Sequence, residues 1–322
     1  ARLLAILRRT PHGTPTKVSV VVLTKDEAAN VGECLDAVCA QLAPGDEVLV
    51  IDSASKDDTV AIARRYAERA RVFVHASPTN LTFGAARNLG VQMAANEVIV
   101  FVSADAVPEP GWLDALKAAV KDADVVYGRQ KHAPPVENLA TVSRGLRYHH
   151  FVTKADALPE TFASNVNAAY RRFAFAQIRF DEKAAGAEDV AFAKAARLAG
   201  LRIAYAPDAV VRHKDVTSFK GEWRKHAREG EAYAQLRPLL GVPTLHIAWA
   251  TAVAGMCLIT VVSGEWWMLA PTLLVFFAPT IRRLATPLVR QYKPLPLLAA
   301  GAASPFFDLA FVGAYLKRRV IK

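Results

Sequence analysis

Cysteine is scarce. Cys34, Cys39 and Cys257 are the three in 322 residues, scattered and without a CxxC pair or a spaced histidine partner. Neither a disulfide framework nor a zinc site is indicated, and the plain reading is buried thiols in a reducing compartment. Glycine is missing where the common nucleotide folds need it: LTKDEAAN, residues 23–30, contains none. With neither GxGxxG nor GxxxxGK[ST] available there, dinucleotide oxidoreductases and P-loop enzymes are disfavoured. A secretory signal is also missing, because ARLLAILRRTPHG has only a very short apolar core between arginines. Residues 1–16 read as a basic segment, either a short helix or the remainder of a longer N-terminus. No nucleic-acid reading module is recognisable, and the basic residues are dispersed, so nucleic acid is not an expected partner.

What is present is a basic, apolar chain. The net charge is +10 and the hydrophobic fraction 52%, with the apolar excess concentrated after residue 245. Such a charge suits a nucleotide diphosphate, an anionic membrane face or nucleic acid, and by itself does not choose among them.

Up to about residue 130, β-branched runs alternate with helical patterns. Strands are expected at Lys17–Thr24, Asp46–Asp52, Val72–His75 and Glu97–Val102. Helices are expected where Ala29, Val31, Cys34, Leu35, Val38 and Leu42 recur at helical spacing, after Asp57 or Asp58 as N-cap, over Phe83–Ala95 and over Trp112–Lys121. This order specifies an α/β fold with a parallel sheet covered on both faces, a doubly wound nucleotide-type domain. Strands follow at Asp124–Gln130, Phe162–Tyr170, Arg202–Ala206 and Ala209–His213, with a helix over Ala187–Gly200.

In such a sheet ligands sit outside the carboxyl ends of the strands, and there the chain places acid. Asp26 and Glu27 follow the first strand, Asp52 the second and Asp105 the fourth. Carboxylates there either hydrogen-bond a base and ribose or hold a divalent cation that neutralises a diphosphate. The bland reading of Asp105 is a turn before Pro108 that caps the next helix. For Glu188 and Asp189 it is a first helical turn where acid is commonplace, and for His213 a satisfied structural histidine.

Taken together, residues 17 to 230 resemble the inverting glycosyltransferases of family 2, which have the GT-A fold. VVLTKDEAANV resembles that family's opening strand and Asn-Glu turn, with Asp26 where asparagine is usual. VLVIDSASKDDT resembles its Asp-x-x-Ser-x-Asp signature, carried by Asp52, Ser55 and Asp57. FGAARNLGVQMAANEVIVFVSADAVPEPGWL resembles the stretch from the Ala-Arg-Asn-x-Gly helix to the Asp-x-Asp metal site. GAEDVAFAKAARLAG resembles the Glu-Asp helix, and VVRHK the strand that brings a histidine to the metal.

The resemblance implies a role for each position. Thr24, Glu27, Asp52, Arg87, Ser103 and Asp105 would bind the nucleotide sugar, with Glu27 and Asp52 on the uridine or thymidine part. Arg87 would face the diphosphate or brace the metal carboxylate. Asp105 and His213 would hold Mg²⁺ or Mn²⁺. Asp189 would be the general base and Glu188 would orient the acceptor or the base. Ser103 stands where the first acid of Asp-x-Asp is usual, so metal binding rests on Asp105, His213 and the phosphates. Family members that transfer rhamnose often carry Thr-Gln-Asp at this point, so SADAVP leans towards a deoxythymidine-diphosphate donor.

The region 241–322 is expected to be helical and membrane-associated, beyond a GT-A domain over 17–240. Two apolar stretches of about 17 and 15 residues flank Glu265 between Leu245 and Thr280, at or just below the length of a span. Trp249, Trp266 and Trp267 lie near their ends, and Arg282, Arg283, Arg290 and Lys293 follow, which puts that loop on the cytoplasmic side. A third stretch, Leu295–Leu316, is interrupted by Ser304, Pro305 and Asp308, as a broken span or a hairpin would be. The contrary reading is a buried helical subdomain of a soluble protein. Basic Ser218–Leu240 either lies on the membrane surface or covers the cleft.

The expectation is a transferase of cell-envelope polysaccharide biosynthesis at the cytoplasmic face of the plasma membrane. It uses a UDP- or dTDP-linked sugar, a lipid-linked or glycan acceptor, and membrane lipids. The rivals are a polyprenyl-phosphate sugar transferase and a non-catalytic nucleotide-binding relative.

Overall fold

The computed structural model describes residues 16–68, 71–133, 163–184, 186–214, 218–236, 239, 244–284 and 294–320. The basic segment up to residue 15, most of the irregular region around His149 and His150, and Arg290 and Lys293 lie outside the described residues. Two compact units are present, one within residues 1–133, 154–184 and 188–214, the other within 134–153, 185–187 and 215–322.

The first unit is a mixed eight-stranded sheet in the order β3-β2-β1-β4-β7-β6-β8-β5. Its parallel half is β1 (Val18–Thr24), β2 (Glu47–Ser53), β3 (Val72–Ser77) and β4 (Val98–Ser103). Between them run α1 (Val31–Cys39), α2 (Thr59–Ala67) and α3 (Phe83–Met93). The near-continuous valine runs are explained by burial on both faces. Val18, Val20, Val22, Val48, Val50, Val98, Val100 and Val102 pack with α1 and with Trp112, Leu113 and Leu116 of α4 (Trp112–Ala119). The intervening Val21, Leu49, Ile51, Ile99 and Phe101 pack on the other face with Ala86 and with Phe192 and Ala196 of α5 (Glu188–Leu198). The period of two along each strand thus builds two cores.

The other half comprises β5 (Ala106–Pro108), β6 (Val125–Ala133), β7 (Asn167–Arg171) and β8 (Ile203–Lys214). β7 runs antiparallel between β4 and β6, while β6 and β8 are parallel. Arg202–Ala206 and Ala209–His213, expected as two strands, form the single strand β8. The pairing steps from Gly128↔Ala206 to Arg129↔Val210, so a bulge takes up Pro207, Asp208 and Ala209 without ending the strand.

In the second unit α6 (Phe219–Gln235) packs on α9 (Pro294–Val320) so closely that Gly230 lies against the Phe311 carbonyl. α7 (Thr244–Ser263) and α8 (Leu269–Leu284) are joined by a short 3₁₀ turn. The third apolar stretch is not broken: α9 is one helix with Pro305 inside it. Among the described residues one helix is long and apolar enough to cross a membrane, at His246–Ser263 with mean hydropathy 1.7. Leu258, Ile259, Val261 and Val262 of that segment are exposed.

Candidate active site

Two loops at the carboxyl ends of β1 and β2 are laced together by their own polar side chains. Asp52 is 1% exposed and accepts from the Thr24 hydroxyl at 2.9 Å, the Ser55 hydroxyl at 2.5 Å and the Ser55 N–H at 2.9 Å. Asp26 accepts from the Lys56 N–H at 2.7 Å, and its own N–H donates to the Ser55 hydroxyl at 2.8 Å. Lys25 Nζ reaches the carbonyls of Ser53 and Ala54 at 2.8 Å each. Asp26 and Ala54 both sit at left-handed φ, 54° and 53°, a conformation that non-glycine residues adopt at a cost. The carboxylates of the Asp-x-x-Ser-x-Asp stretch therefore shape the rim. Asp57 accepts from Thr59 and from the Ala28 N–H, and these bonds hold its carboxyl below the usual range. It does not cap α2 from the N-cap position, which Asp58 occupies without a side-chain bond.

Beside this rim Asp105 and His213 meet. β4 turns through Ala104 and Asp105 into β5, which pairs Ala106 with His213, and the Lys214 N–H donates to the Asp105 carbonyl at 2.8 Å. The result sets Asp105 Oδ2 3.3 Å from His213 Nε2. Asp105 serves the strand turn and does not cap α4, whose N-cap is Gly111 at φ 84°. Glu27 belongs to the same cluster: burial raises its carboxyl, a 2.6 Å bond from Asn30 opposes that, and nearby Asp105 raises it again. Lys214 closes the far side, donating to Asn30 Oδ1 at 3.0 Å and pairing with Glu33 at 2.8 Å. Ser103 is half-buried at the end of β4, and its carbonyl lies 3.6 Å from the buried Cys34 thiol.

A third group lies where α3 meets α5. Arg87 and Glu188 form a buried ion pair, their side chains 8% and 5% exposed. The guanidinium also lies over the rings of Phe83, Phe180 and Phe101 at 5.5, 5.7 and 6.0 Å, contacts that suit a planar, weakly hydrated cation. Arg87 braces a carboxylate, but that of Glu188 and not that of Asp105. Glu188 is thereby occupied by Arg87. Asp189 follows directly, half-buried, after Ala187 at φ 53°. Burial, and then the neighbouring Glu188 charge, push its carboxyl up to about 7, while Arg87 and the Val190 and Asn165 N–H groups pull the other way.

Eight of the nine candidate residues fall into three sets, Thr24 with Asp52, Glu27 with Asp105 and His213, and Arg87 with Glu188 and Asp189, while Ser103 stands apart at the end of β4. Asn30 and Lys214 were missed. Both stand inside quoted motifs, and a lysine directly after a strand-end histidine is the signal that would have found the second.

The family model described as "Glycosyl transferase family 2" matches residues 19–179. An O-antigen chain rhamnosyltransferase of Salmonella typhimurium is 31% identical over 232 residues, 68% of this chain and 73% of that protein. A glycosyltransferase of Haloferax volcanii is 27% identical over the same shares of the two chains. Among solved structures, a mannosyltransferase of Pyrobaculum calidifontis in complex with GDP-Man and Mn²⁺ superimposes with TM-score 0.62 at 21% identity, covering 100% of this chain and 93% of that one. The expected GT-A fold is therefore the observed one. The chain is an enzyme that belongs to glycosyltransferase family 2.

Proposed function

We propose that this chain transfers a sugar from a UDP- or dTDP-linked donor to a hydroxyl of a lipid-linked or surface-glycan acceptor, with inversion and with the help of a divalent cation. The observation that carries the reading is the pairing of two unlike sites in one unit. The Asp105 and His213 pair suits a cation beside a diphosphate, and Asp189 has a proton affinity suited to a base at neutral pH. The two Salmonella relatives named rhamnosyltransferases favour rhamnose and the deoxythymidine-linked donor.

Asp189 would take the proton of the acceptor hydroxyl, and a base with its pKa near the working pH is the effective one. The oxygen's electron pair forms the bond to the anomeric carbon while the bond to the diphosphate oxygen breaks on the opposite face. The electron pair leaves with the nucleoside diphosphate, and the single displacement inverts the centre. The Glu188 charge beside Asp189 raises the basicity of Asp189, after burial.

The donor set fits a hard divalent cation. A carboxylate oxygen and an imidazole nitrogen 3.3 Å apart stand near the roughly 3 Å spacing of adjacent ligands bound at about 2.1 Å in an octahedron. Among the described residues no group of three His, Cys, Asp or Glu is clustered for a metal, so phosphate and water oxygens would fill the remaining positions. A bound Mg²⁺ or Mn²⁺ would stabilise the charge that grows on the departing diphosphate. Solved neighbours such as a glucosyl-3-phosphoglycerate synthase of Mycobacterium tuberculosis carry Mn²⁺ with UDP-Glc (TM-score 0.53, 19% identity, 73% of this chain and 86% of that one).

Attachment to a membrane surface is part of the proposal, supported by the apolar helix and its exposed face, with the catalytic unit on the cytoplasmic side. The test is release of nucleoside diphosphate from a panel of UDP- and dTDP-sugars by protein in detergent, with and without EDTA. The expected result is metal-dependent release from one donor, lost in Asp105→Ala. Release untouched by EDTA and by that substitution would refute the metal assignment.

A further inference from the structure

Three side chains behind Asp189 have no part in the reading above. The backbone N–H of Asn165 hydrogen-bonds the Asp189 carboxylate. Asn165 is 2% exposed, and its Oδ1 accepts the Tyr170 hydroxyl at 2.5 Å. The Tyr170 oxygen lies 3.4 Å from the Tyr127 hydroxyl, and burial keeps both phenols protonated.

Counting hydrogens fixes the direction of this chain. A phenol carries one hydrogen, and an amide oxygen only accepts. Tyr170 therefore donates to Asn165, and the longer contact is Tyr127 donating to Tyr170. With Oδ1 on Tyr170, Nδ2 is left buried without a partner. A buried donor left unmade is a cost, so what recommends asparagine here is its oxygen. The use of that oxygen is to anchor the backbone that carries the N–H onto Asp189. The tyrosines are anchored in turn: Tyr170 packs edge-on to Phe101 and Phe192, and its ring centroid lies 5.3 Å from that of Phe192.

We propose that Asn165 is a positioning residue for the reaction, clamped by Tyr170 and Tyr127 so that its N–H holds the Asp189 carboxylate in its ionised form. This rests on Asp189 being the base. The charged and titratable groups facing Asp189 are Glu188 on its own helix, Arg87 from α3, Tyr127 from β6 and Tyr170 from β7. The Asn165 N–H is thus a neutral hold among charges, and loosening it raises the proton affinity of Asp189 further.

The test is the pH profile of nucleoside diphosphate release by the full chain in detergent, for wild type, Tyr170→Phe, Asn165→Ala, Tyr127→Phe and Asp189→Asn. Tyr170→Phe keeps the ring and removes only the donor. It is expected to lower kcat roughly tenfold, to move the acidic limb upward by roughly half a pH unit, and to leave the donor KM unchanged. Tyr127→Phe should move the limb the same way by less. If circular dichroism shows Tyr170→Phe unfolded, Asn165→Ala and Tyr127→Phe decide. Folded variants whose acidic limb matches wild type, with kcat within about twofold, overturn the clamp. Activity retained in Asp189→Asn would overturn the base itself; loss of activity there with an unmoved limb in the clamp variants would overturn only the clamp.

Discussion

Asp189→Asn should inactivate the enzyme and, above neutral pH, make it more stable. Asp189 is raised from the ordinary 3.8 to about 7 by burial and by Glu188. Between those values the folded protein holds a proton that the unfolded chain has released. Stability therefore falls as pH rises through that window, and the whole cost is present above about 7. At about 1.36 kcal/mol per unit the full rise corresponds to roughly 4 kcal/mol. Asp189 is only half-buried, and solvent screening reduces the figure to on the order of 2 kcal/mol. Asparagine has the same shape, keeps an oxygen for the Asn165 and Val190 N–H groups, and is never charged. Thermal unfolding followed by circular dichroism at pH 8 should show the variant melting roughly 4 to 8 °C above wild type. At pH 5 wild-type Asp189 is protonated in the fold but ionised in the unfolded chain, and with only about 1.2 of the roughly 3.2 units between 3.8 and 7 crossed the difference should shrink to roughly two-fifths of its pH 8 value, vanishing below about pH 4. An equal difference at both pH values, or a less stable variant at pH 8, would refute the reasoning.

Arg87→Met leaves the Glu188 carboxylate buried without its cation and should cost about 3–5 kcal/mol in urea unfolding. Arg87→Lys should recover only part of this, because the ammonium loses the fork and the ring contacts. Gly90→Ala would bring a Cβ to 2.5 Å from Val21 Cγ1 and should destabilise by about 1–3 kcal/mol. Gly313→Ala meets nothing within 4 Å and should be neutral or gain up to about 1 kcal/mol from helix propensity. Leu258→Asp with Val262→Asp, at positions 63% and 77% exposed, should abolish co-flotation with anionic phospholipid vesicles while leaving donor turnover in detergent intact.

What could be read from the chain without coordinates was what local pattern controls. The valine runs of β1, β2 and β4 are dictated by burial on both faces, and the acids at their ends follow from where such strands stop. Pro207 and Asp208 misled because a bulge shows only in the pairing: while β6 advances one residue from Gly128 to Arg129, β8 advances from Ala206 to Val210 and stays whole. Pro305 misled for a similar reason. A proline removes one helical hydrogen bond and strains the preceding turn, yet the packing of α9 against α6 holds the helix through it. At the site the same division holds. Asp105 and His213 were legible because each ends a strand, whereas the partner of Arg87 lies 101 residues away and is chosen by an aromatic box that no spacing reveals. Asp189 was legible as an acid in a first turn, but its basicity comes from burial beside Glu188 and its restraint from Asn165. The local sequence thus names the groups of the proposed site. The long-range packing sets their proton affinities, which is why the pH behaviour of Asp189 is the sharpest test of the whole reading.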